Sequence, residues 1–321
     1  MPVSKESIMK SKLKSDNSPV ASVPSRRNSS NGIRREVLIG WLFVIPALAF
    51  YLFFVIFPLI MSIRYSFFNW NGITKMTFVG LKNYITVFKV PDLFGTIINA
   101  FELVVYFSVF PVGIGLLIAS IIHRVASGKF GEAARTILFL PQIIPLVAAG
   151  IIWGWLLSSS GLVNEILKTL GLGVITRAWL GDFTWALPSV GFIGVWVLLG
   201  FCTLLLLTGI NKIDPSLYES ARIDGATWWN EFTSITIPLL KNEIGVCLTV
   251  TVTNALAAFD IVYVTTAGGP GNSTSVPGVQ IYILAFTQQR IGLASALAVL
   301  LLIMVLIVVI PIQLLSKESA Q

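Results

Sequence analysis

Charge is scarce in this chain. Only 12% of its 321 residues are Asp, Glu, Lys or Arg, roughly half of the ~25% usual in a soluble domain. A chain that is 55% hydrophobic has too few polar groups to cover itself in water, so its natural solvent is a lipid bilayer. Histidine occurs once, as His123, and cysteine twice, as Cys202 and Cys247. One imidazole supplies one ligand where a zinc site wants about four, so no metal is expected. Neither cysteine has a CxxC partner, and both lie in apolar runs, as small buried hydrophobes do. There is no GxxxxGK[ST] phosphate loop, no HExxH and no close carboxylate pair. The sequence therefore offers no catalytic residue of its own, for nucleotide hydrolysis or for intramembrane proteolysis.

The net charge of +7 comes from unevenly spread basic residues. Lys5, Lys10, Lys12, Lys14, Arg26, Arg27, Arg34 and Arg35 all precede the first apolar run. No aromatic residue interleaves them before Trp41, so they read as a topology signal and not as a nucleic-acid surface.

What the sequence has in abundance is apolar length. Residues 1–36 are Ser-, Lys-, Asn- and Pro-rich without hydrophobic period and read as a disordered cytoplasmic tail. Residues 37–316 read as a transmembrane domain whose six apolar runs lie at about 38–63, 97–122, 136–157, 185–209, 243–265 and 291–315. At about 1.5 Å per residue each can cross a hydrocarbon core of about 30 Å. The first run exceeds a signal peptide's apolar region and lacks a small-residue cleavage site, so it is expected to stay as a helix. Pro46, Pro58 and Pro111 are tolerable kinks. With the N-terminus inside, the inner segments hold 15 Lys and Arg against 7 outside, which places that terminus in the cytoplasm. The tail supplies the whole bias. Trp41, Trp153, Trp155 and Trp185 fall near helix ends, where an interfacial belt would hold them.

The polar stretch from Asn211 to Pro238 is the informative one. Asp214 before Pro215 marks a helix start, with Ser216 and Glu219 as a competing capping box. Gly225 suits the left-handed turn that ends a helix, and a second helix should run from about Thr227 towards Pro238. The result is a rigid helix–turn–helix knob. Within the fifth run, Thr251, Asn254 and Ala258 share one helical face and are candidates for a substrate path. Asp260 is a carboxylate in an apolar run, where a charge costs about 2.5–3.5 kcal/mol at the helix centre, so it lines that path or makes a structural hydrogen bond. Gly268-Gly-Pro-Gly271 lacks the lysine of a nucleotide loop and reads as a turn.

The run Glu219-Ser-Ala-Arg-Ile-Asp-Gly225, followed nine residues later by Ile235-Thr-Ile-Pro238, resembles the EAA loop of binding-protein-dependent ABC importer permeases. Ser220 stands where that family usually has Ala, and Ile237 where it has Leu. Phe259-Asp260, Thr266-Ala-Gly-Gly-Pro270, Gly292-Leu-Ala-Ser-Ala296, and Asn69-Trp70 with Phe78-Val-Gly-Leu-Lys-Asn-Tyr84, look like the maltose-type sugar branch. The similarity covers most of residues 38–315.

The resemblance implies an all-α, six-helix type I ABC importer permease fold with a cytoplasmic coupling helix. Glu219 and Gly225 would form the core of the contact with an ATPase, Ala221 would pack there, and Leu199 and Gly200 would join the substrate path. This chain would bind no cofactor, since ATP and Mg belong to a separate ATPase subunit. Its partners would be a second permease in a heterodimer, two ATPase subunits, an extracytoplasmic solute-binding protein and membrane lipid. The implied function is import of a sugar-like solute by alternating access across a bacterial or archaeal inner membrane. A transporter driven by an ion gradient is the competing class, and it usually shows inverted repeats and intramembrane ion-coupling residues. No convincing repeat is visible here.

Overall fold

A computed structural model describes residues 30–125 and 129–317; of the expected disordered tail, residues 1–29 lie outside them, whereas residues 30–36 are helical and belong to the helix Ser30–Tyr51. The chain divides into two compact units, Met1–Phe57 and Pro58–Gln321. In the first, a helix continues through the π turn Leu52–Ile56, and the rings of Phe53 and Phe57 stack at 6.2 Å along it. The apolar helix α1 (Gly40–Ser66) runs across the division.

The second unit holds α2 (Lys82–Lys89), α3 (Pro91–Val125), the bent pair α4 (Gly131–Ile143) and α5 (Leu146–Leu156), then α6 (Leu162–Thr169) and α7 (Ala186–Ile210). After these come α8 (Pro215–Ile223), the bent pair α9 (Trp228–Leu239) and α10 (Lys241–Leu256), α11 (Asp260–Thr265), α12 (Pro277–Thr287) and α13 (Ile291–Ser316). Among the described residues four helices, α1, α3, α7 and α13, are long and apolar enough to cross a membrane. The two bent pairs raise that to six if each counts as one span. A two-stranded antiparallel ribbon, β1 (Phe68–Asn69) with β2 (Thr77–Phe78), is a small departure from the all-α expectation. The helices α2, α6 and α12 fall outside the six apolar runs expected to form spans.

Two expected spans are not continuous helices. The run 136–157 bends by 97° between α4 and α5. Ile144 precedes Pro145, and a residue before proline is pushed out of the helical region. Pro145 itself, at ψ 138°, lacks the N–H that would continue the ladder, and it heads α5. The run 243–265 stops at Leu256 and restarts at Asp260. No proline or glycine lies in that break. Gly278 of α12 instead approaches the Ala258 carbonyl so closely that an added Cβ would sit 2.9 Å from the oxygen. The break therefore coincides with a close tertiary contact.

The central helix is α7, with α3, α4 and α10 packed around it. Its glycines let neighbours approach. An added Cβ on Gly194 would overlap the Phe107 ring, and one on Gly200 would overlap the backbone carbonyl of Leu138. One core cluster gathers Phe107, Val190, Ile193, Val197, Ala258 and Ile261. Trp153 packs against this cluster in edge contacts with Phe192 at 5.2 Å and Trp196 at 5.5 Å. Trp155 is exposed.

Because a backbone carbonyl cannot swing aside as a side chain can, Gly200→Ala should destabilise the protein by about 1–3 kcal/mol. Gly113→Ala, at a helical glycine with nothing within 4 Å, should be neutral or slightly stabilising. Thermal unfolding of the two variants in the same detergent checks the contrast.

Candidate functional site

The knob is built as a helix pair. Asp214 caps α8 by accepting the Ser216 amide at 2.9 Å, and Pro215 is the first helical residue. That amide hydrogen bond holds the Asp214 carboxyl below the usual carboxylate range. Gly225 ends α8 at φ 81°, a left-handed conformation that disfavours any residue with a Cβ. Thr227 caps α9 through the Asn230 amide. Glu219 and Gly225 are exposed and Ala221 is half-buried. Next to them Ile223 is 87% exposed, an apolar side chain offered outward at the tip of the knob.

Behind that outer face lies an ionic cluster. Arg222 donates from Nε to Glu231 Oε1 at 2.8 Å and from a terminal nitrogen to Oε2 at 3.4 Å. Arg124, near the end of α3, reaches Glu231 Oε2 at 3.9 Å. Glu231 is only 4% exposed although it belongs to a polar loop. Its bond and its charge hold the Arg222 guanidinium above its ordinary pKa, and Glu219 adds a smaller push in the same direction. Tyr218 is buried, which raises its phenol, and its hydroxyl pairs with the Thr236 hydroxyl at 3.0 Å. His123 Nδ1 meets Asn211 Oδ1 at 3.0 Å, tying the end of α3 to the end of α7. These groups surround a polar cavity of about 470 Å³.

A second cavity lies where the two broken spans meet. It is about 370 Å³ and takes Gln142, Ile144 and Pro145 from one break, and Ala257, Ala258, Phe259 and Asp260 from the other. Phe107 from the π turn Val105–Val109 of α3, Gly194, Val197 and Leu198 from α7, and Asn254 from α10 complete it. That size lies in the range of about 300–1,000 Å³ typical of small-molecule sites. The Gln142 side-chain oxygen is buried without a partner.

A family model described as "Binding-protein-dependent transport system inner membrane component" matches residues 112–318. The chain belongs to that family. A probable ABC transporter permease, YurN, of Bacillus subtilis is 35% identical over 83% of this chain and 91% of its own length. The trehalose/maltose transport system permease MalF of Thermococcus litoralis is 34% identical, covering 83% and 89%. A chain from the crystal structure of a bacterial ABC transporter involved in import of the acidic polysaccharide alginate superposes with a TM-score of 0.78 at 26% identity, covering 91% of this chain and 99% of that one. The fold is therefore that of a type I ABC importer permease, and the comparisons lend no support to the ion-gradient alternative.

The permease divides the residues marked by sequence. Asn254, Ala258 and Asp260 line the second cavity, while Leu199, Gly200 and Thr251 do not. Thr251 is fully buried and donates to the Cys247 carbonyl of its own helix at 2.8 Å. Gly200 packs on the Leu138 backbone, and α7 meets the cavity through Val197 and Leu198 instead. Thr251, Asn254 and Ala258 therefore do not share a face, because the helix ends before Ala258. Sequence reasoning missed Phe107, Gln142 and Glu231. For Gln142 a signal existed, since it lies between Pro141 and Pro145; for Glu231 there was none.

Because Asp214 keeps a lowered pKa, its cap is fully in place above the ordinary carboxyl value of about 3.9 and is lost as pH falls through the lower folded value. Asp214→Ala should speed amide exchange across 215–223 at neutral pH. Asp214→Asn, an equally good cap, should keep that protection and remove its loss at acid pH. Hydrogen exchange followed by mass spectrometry reads both effects.

Proposed function

We propose that this permease forms part of the membrane path for a sugar or sugar-like solute in an importer driven by ATP hydrolysis on a separate subunit. One observation carries the reading: two broken spans meet at a single cavity that also offers hydrogen-bonding groups. Non-helical backbone is tolerated inside a bilayer only where protein buries it or where it lines a wet cavity. Broken helices at a midplane site are a recurring way to hold a polar solute. The Asn254 amide, the Gln142 oxygen and the Asp260 carboxylate suit the hydroxyls of a carbohydrate, and Phe107 and Phe259 give its ring an apolar face. The saccharide relatives support that class of solute.

The coupling contact is α8. Glu219 and Gly225 are its exposed core, with Ala221 beside them, and Ile223 supplies an apolar anchor for an ATPase subunit. ATP and Mg stay on that subunit. A second permease completes the pathway, and a solute-binding protein delivers the cargo; one solved relative is described in complex with a periplasmic protein carrying an alginate pentasaccharide. The N-terminus lies on the ATPase side, as the basic tail suggests. ATPase closure pushes α8, and the helices joined to it switch the cavity between the two sides.

Two sets of variants separate these roles in vesicles reconstituted with the ATPase and binding protein. Gly225→Val, forced into a left-handed conformation, should abolish solute-stimulated ATP hydrolysis and uptake together. Asn254→Leu should lower uptake at least about tenfold while leaving ATPase assembly intact, since a site built to hydrogen-bond a solute weakens on that scale when one bonding group is removed. Uptake that survives without ATP hydrolysis would falsify the reading.

A further inference from the structure

Arg222 has two acidic neighbours to choose between. Glu219 stands three residues earlier on the same helix, at the spacing where opposite charges usually pair. Glu231 stands on the next helix, and Arg222 takes it with two hydrogen bonds at 2.8 and 3.4 Å. All three side chains line the same cavity. Glu219 makes no ion pair among the described residues.

The choice follows from burial. The Glu231 side chain is 5% exposed and that of Arg222 53% exposed. A carboxylate so deeply placed needs a cation far more than an exposed one does. Arg124 at 3.9 Å gives Glu231 a second, looser counter-charge. A planar guanidinium bound at two points is held in register on Glu231, so Arg222 makes its hydrogen bonds there while Glu219 acts on it through charge alone.

We propose that Glu231 is a positioning residue for ATPase coupling: by holding Arg222 across the helix pair, it keeps the Glu219 carboxylate unpaired and presented to the ATPase subunit. The proposal rests on the reading that α8 is the docking helix. Without Glu231, Arg222 falls back on Glu219 and competes with the incoming partner for that carboxylate. Arg124, near the end of α3, helps hold Glu231 in place and makes no ion pair with Glu219 among the described residues.

The test uses the full permease complex in lipid nanodiscs and the ATPase subunit that copurifies with it, titrated until solute-stimulated hydrolysis saturates. Glu231→Gln should raise the ATPase concentration needed for half-saturation about threefold, the size of one exposed helical ion pair. Adding Arg222→Gln to that chain should return it to the value of Arg222→Gln alone, since the competitor is gone. Glu231→Asp, charged but shorter, should fall between wild type and Glu231→Gln, and Arg222→Gln should relieve it too. The Asp series carries the test if Glu231→Gln does not fold. A double variant no better than Glu231→Gln overturns the proposal, because a merely structural Glu231 cannot be rescued by removing its partner. An unchanged titration for Glu231→Gln, with Glu219→Gln impaired, also overturns it and leaves the docking reading standing. Indifference to Glu219→Gln overturns both.

Discussion

Backbone amides and carbonyls in hydrocarbon have no water to turn to, and each one left unpaired costs several kcal/mol. That constraint governs where this permease can stop being helical. Two of its apolar runs do stop, between Ile143 and Leu146 and between Leu256 and Asp260. Both breaks open on one cavity of about 370 Å³. The two helix interruptions and the cavity are thus a single feature: the chain departs from the helix where it lines that space.

The close crossing of α7 by its neighbours depends on equally tight use of space. Gly194 and Gly200 let the Phe107 ring and the Leu138 backbone lie against the helix. Without a strong hydrophobic drive between helices in lipid, such small-residue contacts supply much of the packing. Phe107 then does two things, filling the gap beside Gly194 and walling the cavity. The packing of α7 and the shape of the cavity are therefore physically linked.

In the helix pair α8 and α9 the governing force is electrostatic. Burying Glu231 in a polar loop makes it the member of its cluster with most to lose from being unpaired, and the other charges arrange around it. Arg222 and Arg124 are each about half exposed and could find water instead. Glu231 could not.

Much of the site was legible in the chain. The Asp214 cap and the Gly225 stop follow from local chemistry, because caps and left-handed turns need particular residues wherever they occur; the exposed Glu219 was marked as a coupling residue by resemblance alone. Asn254, Ala258 and Asp260 stand out by residue type and position, and the cavity gathers all three. The helix breaks divide by cause. The Pro145 break was written in the sequence, since proline acts on its immediate neighbour. The Leu256–Asp260 break was not, because no proline or glycine lies in it and its one close backbone contact comes from Gly278, some twenty residues on, against the Ala258 carbonyl. Thr251 and Gly200 have residue types that suit a path, but only the rotation of their helices turns one towards its own backbone and the other towards Leu138. The partner of Arg222 was likewise undecided: Glu219 and Glu231 are equally acidic in sequence, and burial, which only the folded helix pair creates, chose between them.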